Sequence, residues 1–194
     1  PLLQRPTRVT TDKIFDMVES IQDKMHVPMV FMTYANVIFV YGIEKFAKRS
    51  KEIGMSGVII PDVPFEEKEE MDSVFSKYDL DVISLIAPTS HDRIQAIAAE
   101  AKGFVYCVSS LGVTGMRSTI NKGVAQMIEQ VKKTKDIPCA IGFGISTPEQ
   151  AKEMSEFSDG VIVGSAIVKL VETYGKECIK PVSEYVKSMK EAIS

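Results

Sequence analysis

Short apolar segments alternate strictly with amphipathic segments along this 194-residue chain, and this alternation constrains the fold more than any other feature of the sequence. The apolar segments have the length of buried strands, which we predict at residues 27–34, 57–61, 81–87, 104–109, 138–142 and 159–164. The strand–helix unit repeats at roughly 25 to 35 residues, as in α/β proteins rather than solenoids. Strands that are separated by helical crossovers run parallel. The sequence therefore predicts one α/β domain over residues 1–194, built on a parallel sheet.

The amphipathic segments predict the helices between these strands. Apolar residues recur at helical spacing in segments 14–21, 43–53, 66–77, 91–101, 124–131, 165–173 and 181–189. A further helix is predicted after Thr147, which would be its N-cap, with Pro148 in the first turn and Gln150 completing a capping box. We also predict Ser90 as the N-cap of the helix over 91–101, and a loop without pattern over residues 116–121.

Composition argues against several classes of function. Hydrophobic residues make up 45% and charged residues 25% of the chain, both ordinary for a globular protein. A net charge of −3 indicates no basic face for nucleic acid or for a membrane surface. We see neither a signal peptide nor an apolar run of the roughly 18 residues that span a bilayer. Two histidines cannot build a histidine-rich metal site, and Cys107 and Cys139, both in apolar strands, indicate buried reduced thiols of a cytoplasmic protein.

Two glycine-rich turns indicate where the chain binds a ligand. Residues 142–146 (GFGIS) and 163–166 (VGSA) each follow a predicted strand and open a helix. The unpaired N–H groups at a helix N-terminus, together with the positive end of the helix dipole, suit a phosphate. Glycine lets the phosphate oxygens approach the backbone closely. Two such turns about twenty residues apart are typical of the phosphate site that follows the last two strands of a TIM barrel.

The other predicted strand ends carry residues that each have two interpretations. Asp62 is either a turn former or helix cap, or a polar group at the rim of a pocket or at a partner surface. Tyr34 is either a core residue or a pocket wall, and the same two interpretations hold for Tyr106 and Phe143. Residues 112–115 (GVTG) form either a plain turn or, with the loop that follows, a mobile lid.

Motifs in matching order and spacing resemble the tryptophan synthase α subunit family. They extend from about residue 10 to the C-terminus and comprise MTYAN at 32–36 with Phe39 and Tyr41-Gly42, IPDVP at 60–64 with Glu66-Glu67, GVTG at 112–115, GFGIS at 142–146 and GVIVGSAIVK at 160–169. The resemblance implies a TIM (β/α)8 barrel of which this chain holds about six βα units, strands 3–8. It also implies a lyase of tryptophan biosynthesis that cleaves indole-3-glycerol phosphate to indole and glyceraldehyde 3-phosphate.

The same resemblance implies the assembly and the roles of individual residues. An α subunit has no cofactor of its own, and it joins a pyridoxal-phosphate β subunit in an αββα assembly, to which indole passes through a tunnel. The phosphate would be held by backbone N–H groups and one hydroxyl, from Gly115, Gly144, Gly164 and Ser165. The indole pocket would be lined by Tyr34, Tyr106 and Phe143. Thr114 would lie on the closing loop as the partner of a catalytic aspartate, and the segments that face the β subunit carry Asn36, Asp62 and Pro64.

The lyase reaction needs groups that this sequence does not supply. Cleavage of the C–C bond at indole C3 requires a proton donor, a base for the glyceryl hydroxyl and an anion near the indole N–H. The family takes its two essential carboxylates from a Glu-Leu/Ile-Gly-Ile-Pro-Phe/Tyr-Ser-Asp-Pro segment and the loop after it, and neither has a counterpart in these 194 residues. Residues 1–5 (PLLQR) resemble the sequence that follows that loop, so we expect the family's first helix and first two βα units to be absent from this chain. We therefore expect phosphate binding, no catalytic residue in this chain, and little or no lyase turnover.

Three hypotheses about function stay open on the sequence. In the first, the chain is an α subunit without its acid-bearing part, either cut or incompletely represented, or a fragment that folds as it stands. In the second, it is a non-catalytic α-like chain that activates or seals a β subunit. In the third, it is another phosphate-binding barrel enzyme, such as an epimerase or isomerase of phosphosugars. Six units leave open edges at strands 27–34 and 159–164, so we expect that a missing segment fills the gap or that the chain self-associates.

Overall fold

A computed structural model describes residues 9–109, 117–142 and 144–194 of the chain. The strands are β1 (Val30–Met32), β2 (Gly57–Ile59), β3 (Asp81–Ile86), β4 (Val105–Val108), β5 (Cys139–Gly142) and β6 (Gly160–Ile162). The helices are α1 (Thr11–Glu19), α2 (Ala35–Tyr41), α3 (Ile43–Glu52), α4 (Lys68–Phe75), α5 (Ile94–Glu100), α6 (Arg117–Thr134), α7 (Pro148–Ser155), α8 (Ser165–Tyr174) and α9 (Ile179–Ala192). Short 3-10 turns lie at Gln22–Lys24, Phe65–Glu67, Ser76–Tyr78, Pro88–Arg93 and Gly175–Glu177.

The strands pair in parallel, in the order in which they occur along the chain. The sheet order is β1-β2-β3-β4-β5-β6, and each neighbouring pair is parallel. This confirms the prediction from the strand–helix alternation, because a helical crossover returns the chain to the same end of the sheet before the next strand starts. The register of the last pair sets Gly142 of β5 opposite Ile162 of β6. The segments that follow these two residues therefore leave the sheet at the same edge.

The chain divides within β3 into two compact units, of which the first ends at Ile83. The core of this first unit is an aromatic cluster around Phe15 of α1, which is almost completely buried. Its ring centroid lies 5.3 Å from that of Phe31 in β1, 5.4 Å from that of Tyr41 and 5.2 Å from that of Phe46 in α3. These edge and tilted contacts stabilise the packing beyond the burial of apolar area alone.

The second compact unit spans Ser84–Ser194 and has its core on β4 and β5. Cys107 and Cys139 are fully buried free thiols, which confirms their interpretation as buried cysteines. Asp159, just before β6, accepts a hydrogen bond from the Cys139 amide at 2.7 Å and pairs with Lys132 of α6 at 2.8 Å. One carboxylate thus joins the start of β5, the approach to β6 and helix α6.

Residues 27–41 differ most from their prediction. Only Val30–Met32 forms a strand, and the side chains of Val27 and Met32 are 62% and 59% exposed, so the prediction of a long strand buried on both faces is wrong. The residues after β1 form α2, which the sequence analysis missed. β1 and β6 stand at the two ends of the strand order, as expected. Closure by a further segment or by self-association stays a prediction, as does a single domain over residues 1–194.

Two local predictions in the second unit are also wrong. Ser90 does not cap α5, because its hydroxyl turns back to accept a hydrogen bond from the Ala87 amide at 3.1 Å and the helix begins only at Ile94. The predicted loop is wrong over residues 117–121, because α6 begins at Arg117. The polar residues of its first turns carry no apolar period, so the pattern gave no signal there. Residues 112–116, which include the predicted lid, lie outside the described residues.

The described residues offer neither a membrane span nor a metal site. None of the described helices is both long and apolar enough to cross a membrane. Within the same part of the chain, no group of three or more His, Cys, Asp or Glu residues is arranged to hold a metal ion. The predicted cytoplasmic location stays a prediction.

Candidate functional site

The first glycine turn follows β5 and depends on its glycines for two different reasons. Gly142 is required by packing, because a Cβ there would collide with the hydroxyl of Tyr106 on β4. Gly144 is exposed and has φ +81°, a left-handed conformation that glycine adopts without steric cost. Ile145 is buried and fixes the turn to the core. The backbone at Gly144 is therefore open to a ligand while its neighbour is held in place.

The helix that follows this turn, α7, has its N-terminus occupied by its own side chains. Thr147 Oγ1 accepts a hydrogen bond from the Gln150 amide at 3.3 Å. Gln150 Oε1 in return accepts from the amides of Ser146 at 2.8 Å and Thr147 at 3.2 Å. Pro148 has no N–H group. The predicted capping box is confirmed, but the expectation of a free helix N-terminus is wrong for α7. The backbone donors that remain in this turn are the amides of Gly144 and Ile145, which bond to no described residue.

The second glycine turn opens a helix whose N-terminus is not capped. Gly164 is the N-cap of α8 and offers no side-chain acceptor, and the first turn of the helix contains no acidic residue. The first backbone bond runs from the Val168 amide to the Gly164 carbonyl at 3.1 Å. The amides of Ser165, Ala166 and Ile167 therefore have no acceptor within the helix. Amides without an acceptor in the described part of the chain, a positive dipole end and the nearby Ser165 hydroxyl are features that suit the binding of an anion.

Both turns lie at the same edge of the sheet. Gly142 and Ile162 face each other in the β5–β6 register, and Gly144 and Gly164 each come two residues later. Gly164 and Ser165 are exposed, and in the described part of the chain no heavy atom beyond Gly164 and its two chain neighbours lies within 4 Å of the position of a Gly164 Cβ. The second unit thus combines two of the predicted phosphate-binding glycines and the predicted serine in one open arrangement. Gly115, the remaining residue of that set, lies outside the described residues.

The predicted indole-pocket residues have different surroundings. Tyr106 is 7% exposed, and burial raises the pKa of its hydroxyl. It therefore remains a neutral phenol at physiological pH. Tyr34 is 63% exposed at the end of β1, so its interpretation as a core residue is wrong. Phe143 and Thr114 lie outside the described residues, and the role of this set in binding indole stays a prediction.

Asp62 links the strand ends of the first unit. Its carboxylate accepts hydrogen bonds from the Ala35 amide, at 3.0 Å to Oδ1 and 3.3 Å to Oδ2. Because Ala35 is the first residue of α2, Asp62 caps that helix from 27 residues away in sequence. Asp62 is therefore a helix cap, but of a helix that precedes it in the chain. Asn36 and Pro64 are exposed beside this contact. Phe39 and Val40 of α2, which carry no prediction of a surface role, are 50% and 89% exposed.

The comparison with protein families supports the resemblance over the hypothesis of another phosphate-binding barrel enzyme. A family model described as "Tryptophan synthase alpha chain" matches residues 5–194. The chain belongs to the tryptophan synthase alpha chain family. It is 42% identical over 185 residues to the tryptophan synthase alpha chain of Lacticaseibacillus casei, with 95% of this chain and 70% of the relative covered. It is 47% identical over 182 residues to that of a Thermoanaerobacter species, with coverages of 93% and 70%.

The solved structures of the tryptophan synthase family support the same assignment. The α subunit from Campylobacter jejuni superposes with a TM-score of 0.84 at 32% identity, covering 91% of this chain and 71% of that one. The six parallel strands with alternating helices therefore belong to the TIM-barrel fold of this family. The chain spans about 70% of the length of the relatives that it matches.

One hydrogen bond near the first glycine turn was not predicted from the sequence. The hydroxyl of Tyr185 on α9 donates a hydrogen bond to the carbonyl of Ser146 at 2.9 Å, across 39 residues of sequence. Burial raises the pKa of Tyr185, so the hydroxyl stays protonated and remains a donor. The helical spacing of α9 indicates that Tyr185 faces inward, but spacing cannot identify the carbonyl that it reaches.

Proposed function

We propose that the turns at Gly144 and Gly164 bind the phosphate of indole-3-glycerol phosphate, and that the chain is the substrate-anchoring part of a tryptophan synthase α subunit. The observation that carries the proposal is the uncapped N-terminus of α8 at the same sheet edge as the Gly144 amide. Membership in the tryptophan synthase alpha chain family supports it, because that family belongs to the lyases of tryptophan biosynthesis.

The backbone donors of the second unit do the binding in this proposal. The amides of Ser165, Ala166 and Ile167 point along the axis of α8 toward a ligand, and the Ser165 hydroxyl adds a further donor. The amides of Gly144 and Ile145 approach the same anion from β5, and Gly115 is proposed to add its own. Hydrogen bonds to a charged group contribute about 1.5–3 kcal/mol each. This binding energy acts at the end of the substrate remote from the reacting carbon.

We propose that these 194 residues contribute substrate binding rather than the cleavage step itself. We propose that Tyr106, Phe143 and Tyr34 contact the indole ring and that Thr114 acts on the closing loop. No carboxylate of the family's catalytic segment stands in the 194 residues, so we propose that none of these residues delivers the proton to indole C3. We propose that the α chain needs no cofactor and that pyridoxal phosphate belongs to the β subunit. The chain as it stands is therefore expected to bind phosphate and to release little or no indole.

The strand-end surface of the first unit is proposed to face a tryptophan synthase β subunit. It contains Asn36, Asp62 and Pro64, together with the exposed apolar side chains of Phe39 and Val40. Contiguous exposed apolar side chains with a polar rim are typical of a protein interface. Asp62 supports this surface by capping α2. By analogy with the family, we propose that this surface forms part of an αββα assembly.

Calorimetric titration with glycerol 3-phosphate tests the binding proposal. Glycerol is the matched control, because it lacks only the phosphate. We expect saturable binding of the phosphate ester and none of glycerol. No heat from either ligand would contradict the proposal. A parallel assay with indole-3-glycerol phosphate tests the expected inactivity, which measurable indole release would contradict.

The partner proposal is tested by co-elution with a purified tryptophan synthase β subunit. Val40→Asp places a charge in the proposed interface, and Ile179→Asp is the matched control, because Ile179 is 79% exposed on α9 of the second unit. We expect Val40→Asp to abolish co-elution and Ile179→Asp to leave it unchanged. Equal behaviour of the two variants would contradict the assignment of this surface. Stimulation of the β reaction without any lyase activity would favour a non-catalytic α-like chain.

A further inference from the structure

The turn between Gly144 and α7 is fixed by hydrogen bonds to both ends of a single peptide group. The peptide that joins Ser146 to Thr147 presents its carbonyl to the Tyr185 hydroxyl at 2.9 Å and its N–H to Gln150 Oε1 at 3.2 Å. A peptide group is planar and rigid, so holding its two ends fixes its orientation. The preceding peptide is fixed as well, because the Ser146 amide donates to the same Gln150 oxygen at 2.8 Å.

These contacts leave little freedom at the two amides that the turn offers to an anion. Between the fixed peptide at Ser146 and strand β5 lie only Gly144 and Ile145, apart from residue 143. Ile145 is buried at 3% exposure, so its side chain holds its own backbone against the core. The fixed peptides at Ser146 and Thr147 and the buried Ile145 side chain therefore restrict the orientation of the Gly144 and Ile145 amides before any ligand arrives. Donors that are ordered in advance bind more tightly, because binding does not have to order them.

Helix α9 connects this turn to the second half of the candidate site. It packs against α7, which follows the Gly144 turn, and against α8, which begins at the Gly164 turn. Met189 anchors α9 with a buried side chain. Tyr185 is the residue of α9 whose side chain reaches the turn backbone itself. The last helix thus packs against the helices that follow both glycine turns, and Tyr185 connects α9 directly to the backbone of the Gly144 turn.

We propose that Tyr185 is a positioning residue for phosphate binding, acting through the Ser146 carbonyl to orient the Gly144 and Ile145 amides. The inference rests on the proposed function, since it assumes that these amides meet the phosphate of the substrate. Tyr185 does not touch the phosphate. Its contribution is the orientation of donors that do.

The matched pair Tyr185→Phe and Tyr78→Phe tests this role. Each substitution removes one tyrosine hydroxyl that makes one hydrogen bond, since the Tyr78 hydroxyl donates to Glu44 at 2.6 Å in the first unit. The measured quantity is the dissociation constant of inorganic phosphate, followed by the amide NMR signals of Gly144 and Ser165. We expect Tyr185→Phe to raise this constant about three- to tenfold, the value of one hydrogen bond, and Tyr78→Phe to leave it unchanged. In Tyr185→Phe we also expect the Gly144 and Ser146 amide signals to move before phosphate is added.

The outcomes separate the inference from the proposed function. If the wild-type chain binds no phosphate, both are overturned. If it binds phosphate and Tyr185→Phe binds equally well, only the positioning role is overturned. Gln150→Leu gives a second test that does not depend on the folding of the first variant, because it releases the N–H end of the same peptide. We expect a comparable rise in the dissociation constant, and an unchanged value would also overturn the inference.

Discussion

Substitution of Ser165 by aspartate should stabilise the fold and strongly weaken phosphate binding at the same time. Ser165 is the exposed first residue of α8, whose first turn has neither a capping side chain nor an acid. A carboxylate at that position interacts favourably with the helix dipole, which stabilises helices by about 0.3–1 kcal/mol. The same carboxylate occupies the region where the phosphate is proposed to bind. The two effects have opposite signs, and a general disturbance of the fold cannot produce both.

The size of the binding effect follows from the charges. A carboxylate and a doubly charged phosphate about 5 Å apart repel each other by roughly 3 kcal/mol at an effective dielectric constant near 40. That repulsion raises the dissociation constant about a hundredfold, since 1.4 kcal/mol is a factor of ten. The Ser165→Asn variant controls for size and polarity without the charge. It should lose only the hydroxyl contact, worth about 1 kcal/mol, or about fivefold in affinity.

The assay combines urea denaturation without phosphate and calorimetric titration at low ionic strength. We expect the free energy of unfolding to rise in Ser165→Asp and the binding heat to disappear, while Ser165→Asn still binds. Wild-type affinity in Ser165→Asp would refute the reasoning, because it would show that the anion does not meet the N-terminus of α8. Equal losses in both variants would show that shape rather than charge controls the site.

Three further predictions concern contacts that support the fold around the candidate surfaces. Gly142→Ala should reduce the free energy of unfolding by about 1–3 kcal/mol in urea denaturation, because the added Cβ meets the Tyr106 hydroxyl. Adding Tyr106→Phe to this variant should restore part of the lost stability. An unchanged urea midpoint in Gly142→Ala would contradict the close packing of these two residues. Asp62→Ala removes the cap of α2 and should cost about 1 kcal/mol by the same measurement, whereas a loss near zero would show that the cap is replaced by water. Burial opposes the charged form of Asp159, but its hydrogen bonds with Lys132 and a backbone amide outweigh this and lower its pKa. Because the pKa of Asp159 is lower in the folded state, its charged form stabilises the fold above the unfolded pKa of about 3.9, and this contribution is lost as the pH falls. Asp159→Asn should therefore make the free energy of unfolding depend less on pH in the acid range. An unchanged acid dependence would refute this prediction.

The sequence predicts the parts of this fold that depend on local pattern. Apolar segments joined by helical crossovers can pair only in parallel, and the six strands do so. The capping box at Thr147 needs side chains three residues apart, so the sequence contains all of its information. The two glycine turns are likewise local, because one conformation at Gly144 and one uncapped start at Gly164 define them.

The features that the sequence did not predict depend on contacts between distant residues. Helix α2 was missed because its apolar, β-branched and aromatic residues resemble a strand, and because its cap is Asp62, 27 residues away. The Tyr185 contact with Ser146 spans 39 residues and has no local pattern. The capping box predicts one hydrogen bond from the backbone to the Gln150 side chain. The sequence does not show that the same Gln150 Oε1 also accepts from the Ser146 amide, and so it did not predict that the α7 N-terminus is occupied. The predicted strand at residues 27–34 is longer than β1, because an apolar run alone does not show which of its residues pair with a neighbouring strand.

The most direct measurement of the central claim is an amide NMR titration of the chain with glycerol 3-phosphate. It reports at each residue whether a phosphate meets the two glycine turns that follow β5 and β6. We predict saturable shifts with one dissociation constant at Gly144, Gly164 and Ser165, and no shifts in the helices of the first unit. Shifts confined to other residues, or none at all at saturating ligand, would contradict the claim that these turns anchor the phosphate of the substrate.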